Sequence, residues 1–386
     1  MFFRKSKTSG VTAEIRVKRC YGCGAILQDQ DPNEAGYLPK EKFESEEDSL
    51  CERCYKLRHY SKYKANGDFT IDYVTILSSA KEENALVCYV LNAFSLHGSM
   101  LKGIGKYLPN RVLVILNKRD LLDKNYSESY LRERATALLK EEGVEPIDVI
   151  ITSSGSKSSN IDGLMKAIDQ NRNGKSVYFV GAYQVGKSSL INCLLSTYSN
   201  STEKMITTSP YPGTTLDVIS IPLDESSYLY DTPGIYNSDS IVSFLEPSII
   251  KYVLPRSLVR PESYPSKEGQ SFLFSNLARL DFVKGDKTTF TFYKSNDLTL
   301  QRSKIGKADE LLMSLSENVN LSTRTEKIHK SEDLKKVTLT AFDSTINRIV
   351  INGLGFVEFP GRGQTIDVYV PKSVEVLLES NALTKE

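Results

Sequence analysis

Several short stretches of this 386-residue chain combine residue types and spacings that suit chemistry. "GAYQVGKS" at 181–188 fits G-x-x-x-x-G-K-S. Its glycines, Gly181 and Gly186, let the backbone turn so that amide N–H groups face a phosphate, and the helix that follows adds the positive end of its dipole. In such a loop Lys187 reaches the β- and γ-phosphates and the Ser188 hydroxyl ligates Mg²⁺, while Gln184, Val185 and Ser189 complete the cradle. "YDTPG" at 230–234 ends a β-rich stretch with Asp-x-x-Gly. Asp231 can hold Mg²⁺ through a water, and Gly234 leaves its N–H free to approach a γ-phosphate. Between the two, "PYPGTTLD" at 210–217 offers the hydroxyls of Thr214 and Thr215, of which Thr215 is favoured to complete the Mg²⁺ coordination. Lys187, Thr215 and Gly234 are thus the candidate catalytic residues.

A base reader stands earlier in the chain. "NKRD" at 117–120 follows the apolar run "RVLVIL". The Asp120 carboxylate can accept both the N1–H and the N2 amino protons of guanine; adenine offers neither, and such mismatches discriminate by about 10⁴–10⁵. Asn117 would brace the loop and Lys118 would lie along the base. After another apolar run, "IITSSGSKS" at 150–158 places Ser153 and Ser154 where a backbone amide and a hydroxyl can meet guanine O6.

A third kind of chemistry is metal binding. Cys20-x₂-Cys23 and Cys51-x₂-Cys54 supply four thiolates, the complement of a tetrahedral structural Zn²⁺ site. The 27 residues between the pairs exceed the usual spacing of about 15–20, and a hairpin around "GYLPKEKF" would take up the excess. Free or redox-active thiol pairs are the alternative. Cys88 and Cys193 lie in apolar runs and read as buried core thiols, and the whole pattern suits a reducing compartment. "YKLRHYSKYK" at 55–64 interleaves basic residues with tyrosines, which suits phosphate contact and base stacking on RNA or, equally, a solvated helix face. His59, His97 and His329 are scattered and form no constellation.

The elements that must position these residues follow from the apolar pattern. Strands are expected at 85–91, 111–117, 146–152 and 175–181, with helices at about 127–141, 160–171 and 187–197. Segments 216–223 and 226–232 read as a further strand pair. This alternation predicts βα units on a mainly parallel sheet over 65–240. Residues 241–386 have alternating stretches at 288–293, 338–343 and 349–359, a helical stretch at 307–319, and at 253–269 a segment that reads as a linker or an extended connection. The first 64 residues form a separate, Cys-paired module.

Composition bounds the function classes. A net charge of +1 excludes a globally basic nucleic-acid coat, though not a local patch. No apolar run approaches the roughly 18 residues of a membrane span, so no membrane partner is expected. The start "MFFRKSKTSG" has no secretory apolar core; its basic, Ser/Thr-containing character leaves organelle targeting open beside a bacterial cytoplasm.

Chain order is the most specific signal. NKRD and the serine turn come first, then the phosphate loop, the Thr loop and DTPG. An ordinary GTPase domain has the phosphate loop, Thr loop and Asp-x-x-Gly before Asn-Lys-x-Asp. The same ring of elements has been cut at a different point, with "NRNGK" at 171–175 as the join. With its two Cys pairs in front and "LARLDFVKG" and "GLGFVEF" behind, the chain closely resembles the YqeH-type circularly permuted GTPases. The match runs residue by residue through Asn117, Lys118, Asp120, Gly181, Gly186, Lys187, Ser188, Thr215, Asp231 and Gly234. The implied architecture is α/β, a circularly permuted P-loop GTPase domain with an N-terminal Cys₄ zinc module and a C-terminal mixed, β-rich domain. The implied activity is GTP hydrolysis to GDP and phosphate by a monomeric assembly factor of the small (30S) ribosomal subunit, touching ribosomal RNA through its flanking domains. A GTP-dependent RNA-binding scaffold with negligible hydrolysis, and a GTPase acting on tRNA or in an organelle, are the alternatives. There are departures from the family pattern. Gln184 stands where such GTPases often have an Asn that recruits a monovalent cation, so K⁺ is a candidate cofactor of uncertain hold; "LNAFSLHGS" at 91–99 lacks the acids often found there; and the serine turn reads Ser-Ser-Gly rather than Ser-Ala.

Overall fold

The computed structural model describes residues 20, 25–32, 34, 36–44, 51–52, 71–154, 160–198, 207–210, 217–318, 328 and 330–380. Cys23, Cys54, Thr214, Thr215, His59, His329 and the 55–64 stretch lie outside the described residues.

The apolar runs of the first half become strands buried on both faces. Leu86–Asn92 (β1), Val112–Asn117 (β2) and Val177–Val180 (β4) contain no exposed residue. With Asp148–Ile151 (β3), Thr207–Pro210 (β5), Asp217–Pro222 (β6) and Tyr228–Asp231 (β7) they form one sheet in the order β3-β2-β1-β4-β7-β6-β5. Neighbours from β3 to β7 pair in parallel, and β7-β6-β5 continue as an antiparallel edge. Strands buried on both sides are what a helix-covered parallel sheet requires.

Among the described residues four helices supply the cover. Ile71–Glu82 (α1) buries Tyr73, Ile76, Leu77 and Ala80, the i, i+3, i+4, i+7 spacing of one helix face. Sequence periodicity does not single out this helix, because its mid-helix serines dilute the pattern. Glu128–Glu141 (α2) starts at Ser127, whose hydroxyl accepts the Tyr130 N–H, and buries Leu131, Ala135 and Leu139. Ile161–Arg172 (α3) ends at Asn173 in the left-handed conformation, and Lys187–Tyr198 (α4) leaves the phosphate loop.

The second half is built of antiparallel strands. Glu262–Ser266 (β8), Gln270–Phe274 (β9), Ala278–Lys284 (β10), Thr288–Lys294 (β11), Leu300–Lys304 (β12), Lys335–Thr340 (β13), Ile346–Ile351 (β14), Gly355–Pro360 (β15), Thr365–Val370 (β16) and Val376–Ser380 (β17) form two sheets. Their orders are β12-β9-β10-β16-β13 and β17-β14-β15-β11-β8. Phe272, Phe274 and Phe282 of one sheet meet Phe290, Phe292 and Phe359 of the other, with ring centroids of Phe272 and Phe292 4.8 Å apart. The two sheets therefore close on a shared aromatic core. On the outer side of the first sheet, Leu273 packs under Ala308–Asn318 (α6) through Ala308, Leu312 and Leu315.

Two expectations are corrected. The segment 253–269 is not a linker: it follows a short helix, Pro247–Val253 (α5), and contains β8, whose Tyr264 packs against the Phe272 and Phe292 rings. Nor does "GYLPKEKF" make a hairpin: Lys40–Phe43 is one helical turn after Pro39, and only Tyr37 forms a bridge, with Gln28.

Candidate functional site

All parallel strands end on one edge of the sheet, so the loops after β1, β2, β3, β4 and β7 converge there. In an open α/β sheet this carboxyl edge is where ligands bind. Asn92 and Asn117 stand in register at the ends of β1 and β2, and Phe179 of β4 pairs with Asp231 of β7.

The phosphate loop, 181–188, folds back over Lys187. The Lys187 ammonium is buried and donates to the carbonyls of Gly181 and Ala182 at 2.9 and 3.3 Å. Gly186 has φ +95°, and a Cβ there would lie 2.5 Å from Asn117 Nδ2. Gly181 passes so close to β1 that a Cβ would stand 2.4 Å from the Val90 carbonyl. Both positions admit only glycine.

DTPG is zipped to this loop. The Tyr183 N–H donates to the Ile235 carbonyl at 2.7 Å, and the Ile235 N–H to the Gly181 carbonyl at 3.2 Å. Gly234 stands against Tyr183 Cα and Lys187 Nζ. Ser188 Oγ donates to Asp231 Oδ2 at 2.6 Å, and Asp231 Oδ1 is buried without a hydrogen-bond partner. A hydroxyl and a carboxylate oxygen with unused acceptor capacity, at the foot of a phosphate loop, form a hard-cation donor set. These residues fit Mg²⁺.

The base-reading loop touches the phosphate loop directly. Asn117, fully buried, donates through Nδ2 to the Val185 carbonyl at 2.9 Å and to Ser154 Oγ at 3.4 Å, and its Oδ1 accepts the Ser154 N–H. Lys118, with φ +65°, donates to the carbonyl of Gln184, itself at φ +68°. Such backbone states in non-glycine residues persist where surroundings over-determine them, often at binding loops. Burial pushes the Lys118 ammonium down to about 8, against the pull of the Asp120 carboxylate. The Asp120 N–H donates to Ser153 Oγ at 3.1 Å, so the serine turn orients the NKRD loop. Ser189 follows Ser188 at the start of α4.

The tertiary structure adds residues that the motifs do not contain. Tyr73 of α1 places its hydroxyl 2.7 Å from Thr232 Oγ1 and donates to the Pro233 carbonyl at 3.0 Å, while Thr232 Oγ1 donates to the Phe179 carbonyl. Nothing local marks Tyr73 as functional. Asn92 Oδ1 accepts the N–H groups of Phe94 and Ser95, which shapes the 91–99 loop without any acid. That loop meets the C-terminal sheets: His97 Nε2 is 2.5 Å from Glu379 Oε1, and Arg134 Nη2 is 2.7 Å from both Glu379 oxygens. Buried Arg348 is held by Glu358 at 2.6 Å and donates to Tyr130 OH at 3.1 Å. The segment after DTPG is fastened to the same sheets, through Ile241 N–H to the Asn352 carbonyl and the Glu375 N–H to the Asp239 carbonyl.

At the N-terminal module, Cys20 and Cys51 are buried together, and the Cys51 N–H donates to Cys20 Sγ at 3.2 Å. These are two of the four expected thiolates. Among the described residues no group of three or more His, Cys, Asp or Glu side chains stands together to hold a metal. Also among the described residues, no helix is long and apolar enough to cross a membrane.

The sheet, the phosphate loop and the NKRD loop bonded to it define a P-loop GTPase domain joined to a β-rich C-terminal region. Residues 176–258 match the model of the 50S ribosome-binding GTPase family, and residues 287–382 match the model described as YqeH-like, C-terminal. The chain is 33% identical to YqeH of Bacillus subtilis (strain 168) over 94% of its own length and 99% of that protein. It therefore belongs to the family of YqeH-type GTPases. It is also similar to the NO-associated protein 1, chloroplastic/mitochondrial, of Arabidopsis thaliana, at 27% identity over 72% of this chain and 57% of that protein. The Nitric oxide-associated protein 1 of Mus musculus is 24% identical over 76% of this chain and 63% of its own length.

Proposed function

We propose that this chain is a circularly permuted GTPase that hydrolyses GTP to GDP and phosphate while assisting assembly of the small ribosomal subunit. One observation carries the nucleotide part: the NKRD and phosphate loops, 66 residues apart at Lys118 and Gln184, are hydrogen-bonded at one sheet edge although their chain order is reversed. On this reading Asp120 recognises guanine, Asn117 and Lys118 brace its loop, and Ser153 and Ser154 face O6. Gly181, Gln184, Val185, Gly186, Lys187, Ser188 and Ser189 cradle the phosphates. Ser188, Asp231 and Thr215 hold Mg²⁺, which when bound neutralises charge on the transferring phosphoryl group. Lys187 supplies a fixed charge to the γ-phosphate side, and Gly234 offers it a backbone N–H.

We further assign residues 1–64 to a zinc-binding module, with Cys20, Cys23, Cys51 and Cys54 as ligands, 65–240 to the GTPase domain and 241–386 to an RNA- or ribosome-binding domain. The protein acts as a monomer in a bacterial cytoplasm; the chloroplastic and mitochondrial names among its relatives keep an organellar setting as the alternative.

A second reading, a GTP-dependent scaffold that barely hydrolyses, draws on one residue. Ile235 follows Gly234, is buried, and has no group to orient a water as a Gln does in other GTPases. Phosphate release measured with and without ribosomal particles separates the readings: a rise with small subunits supports the assembly factor, and no release in any condition supports the scaffold. Sedimentation of the full chain with separated 30S and 50S particles, in GTP-analogue and GDP forms, tests the partner. Binding to 50S alone would overturn the small-subunit assignment. Chelation that releases one Zn²⁺ per chain is the expected result for the N-terminal module.

A further inference from the structure

We propose that Tyr73 is a positioning residue for GTP hydrolysis: its hydroxyl fixes the plane of the Pro233–Gly234 peptide and so aims the Gly234 N–H at the γ-phosphate. The inference deepens the GTPase reading above and rests on it for the identity of the ligand.

Tyr73 lies in the first turn of α1, 160 residues before Pro233, and is 4% exposed. Its hydroxyl donates to the Pro233 carbonyl at 3.0 Å and stands 2.7 Å from Thr232 Oγ1. The Thr232 hydroxyl has its own proton on the Phe179 carbonyl, so the one Tyr73 proton serves both the Thr232 oxygen and the Pro233 carbonyl. Burial pushes the phenol upward from its ordinary pKa, which keeps that proton in place. Among the described residues no other group donates to the Pro233 carbonyl.

The Pro233 carbonyl and the Gly234 N–H are the two ends of one peptide unit. This unit is trans, so the two groups point in opposite directions within one plane. Holding the carbonyl on the α1 side therefore turns the N–H away from α1. Gly234 adjoins the phosphate loop: a Cβ there would lie 2.9 Å from Tyr183 Cα and 3.3 Å from Lys187 Nζ. The neighbouring N–H groups are occupied, that of Thr232 by the Phe179 carbonyl and that of Ile235 by the Gly181 carbonyl. The Gly234 N–H has no acceptor among the described residues. An oriented, unused N–H beside a buried lysine suits an anionic oxygen.

Without the hydroxyl this peptide is free to rotate, because a glycine follows it and accepts backbone angles closed to other residues. On the permuted order proposed above, the uncut ring would run from DTPG directly into α1. The cut removes that covalent link, and the Tyr73 hydrogen bonds join the same two elements.

The test compares the full-length parent with Tyr73→Phe, which keeps the ring and removes only the hydroxyl. Affinities for GDP and for GMPPNP, a GTP analogue that resists hydrolysis, are measured by titration, and GTP hydrolysis is followed in a single turnover at saturating enzyme. The variant should bind GDP within about twofold of the parent, bind GMPPNP about fivefold or more weakly, and hydrolyse GTP about five- to tenfold more slowly. Glycine-selective NMR labelling gives a second readout. The Gly234 amide resonance, identified by its loss in Gly234→Ala, should shift between the GDP and GMPPNP forms of the parent and much less in Tyr73→Phe. Equal GMPPNP-to-GDP affinity ratios and equal rates in parent and variant would overturn the proposal. So would parallel losses of both affinities, which would mean that the hydroxyl only holds the fold. A parent that neither distinguishes GMPPNP from GDP nor hydrolyses GTP would sink the GTPase reading, and the proposal with it. A parent that does both, matched by Tyr73→Phe, sinks the proposal alone.

Discussion

Lys118 Nζ donates a 2.8 Å hydrogen bond to the Gln184 carbonyl, and both residues have left-handed backbones. The NKRD loop thereby holds the turn of the phosphate loop in a conformation that a non-glycine residue adopts only at a cost. Lys118→Met should lose about 1 kcal/mol of stability and weaken GDP binding. The pH dependence has a definite sign. A lysine lowered to about 8 in the folded chain binds fewer protons than its unfolded form between pH 8 and its ordinary value of 10.5. Its contribution to stability therefore rises with pH across that window. Denaturant melts at pH 8 and 10 should show this rise in the parent and a smaller one in Lys118→Met.

Gly186→Ala tests the contact between the two loops. The new Cβ would meet Asn117 Nδ2 at 2.5 Å, at a φ of +95°. Asn117 is fully buried and tied to Val185 and Ser154, so it cannot swing aside. The variant should lose about 1–3 kcal/mol of stability and most of its nucleotide affinity. Thermal melts and GDP titration check both.

Asp120→Asn should exchange guanine for xanthine preference, because the O2 of xanthine needs a donor where guanine N2 needs an acceptor. Competition between GTP and XTP for the variant decides it. A variant that binds GTP as tightly as the parent means that Asp120 does not read the base.

Tyr73→Phe removes one hydroxyl that touches Thr232 and Pro233. About 1 kcal/mol of stability should go, and GTP turnover should fall while GDP affinity stays. Equal turnover would show that α1 is only packing.

Glu379 binds the C-terminal sheets to the GTPase side through His97 and Arg134. Burial works against its ionisation, but the His97 hydrogen bond and the charges of Arg134 and Arg348 hold its carboxyl at about 2, down from 4.5. The folded chain therefore binds fewer protons here than the unfolded one. The stabilisation is present above pH 4.5 and is lost as pH falls toward 2. It amounts to roughly 3 kcal/mol at most. Glu379→Gln should reduce stability at neutral pH and flatten the acid limb of the unfolding curve.

What the amino-acid sequence determined by itself was local. A phosphate loop needs Gly at turns, Lys and Ser at fixed spacing, a strand before and a helix after, and all of that lies within one short window from Val177 to Tyr198. The same holds for NKRD at the end of β2 and DTPG at the end of β7, and for the order in which they occur. Their meeting was legible because parallel strands place their carboxyl ends on one edge. The C-terminal strands were only half legible. Segment 270–274 runs Phe272, Leu273 and Phe274 together, which blurs the alternation of a one-sided strand, while 278–282 alternates apolar residues with Arg279 and Asp281, whose burial as an ion pair no short-range pattern shows. The tertiary structure alone decided that Tyr73 reaches Thr232 and that Glu379 reaches His97. Each of these contacts joins residues far apart in the chain by strand pairing or helix docking, and short-range spacing carries no record of such long-range pairing.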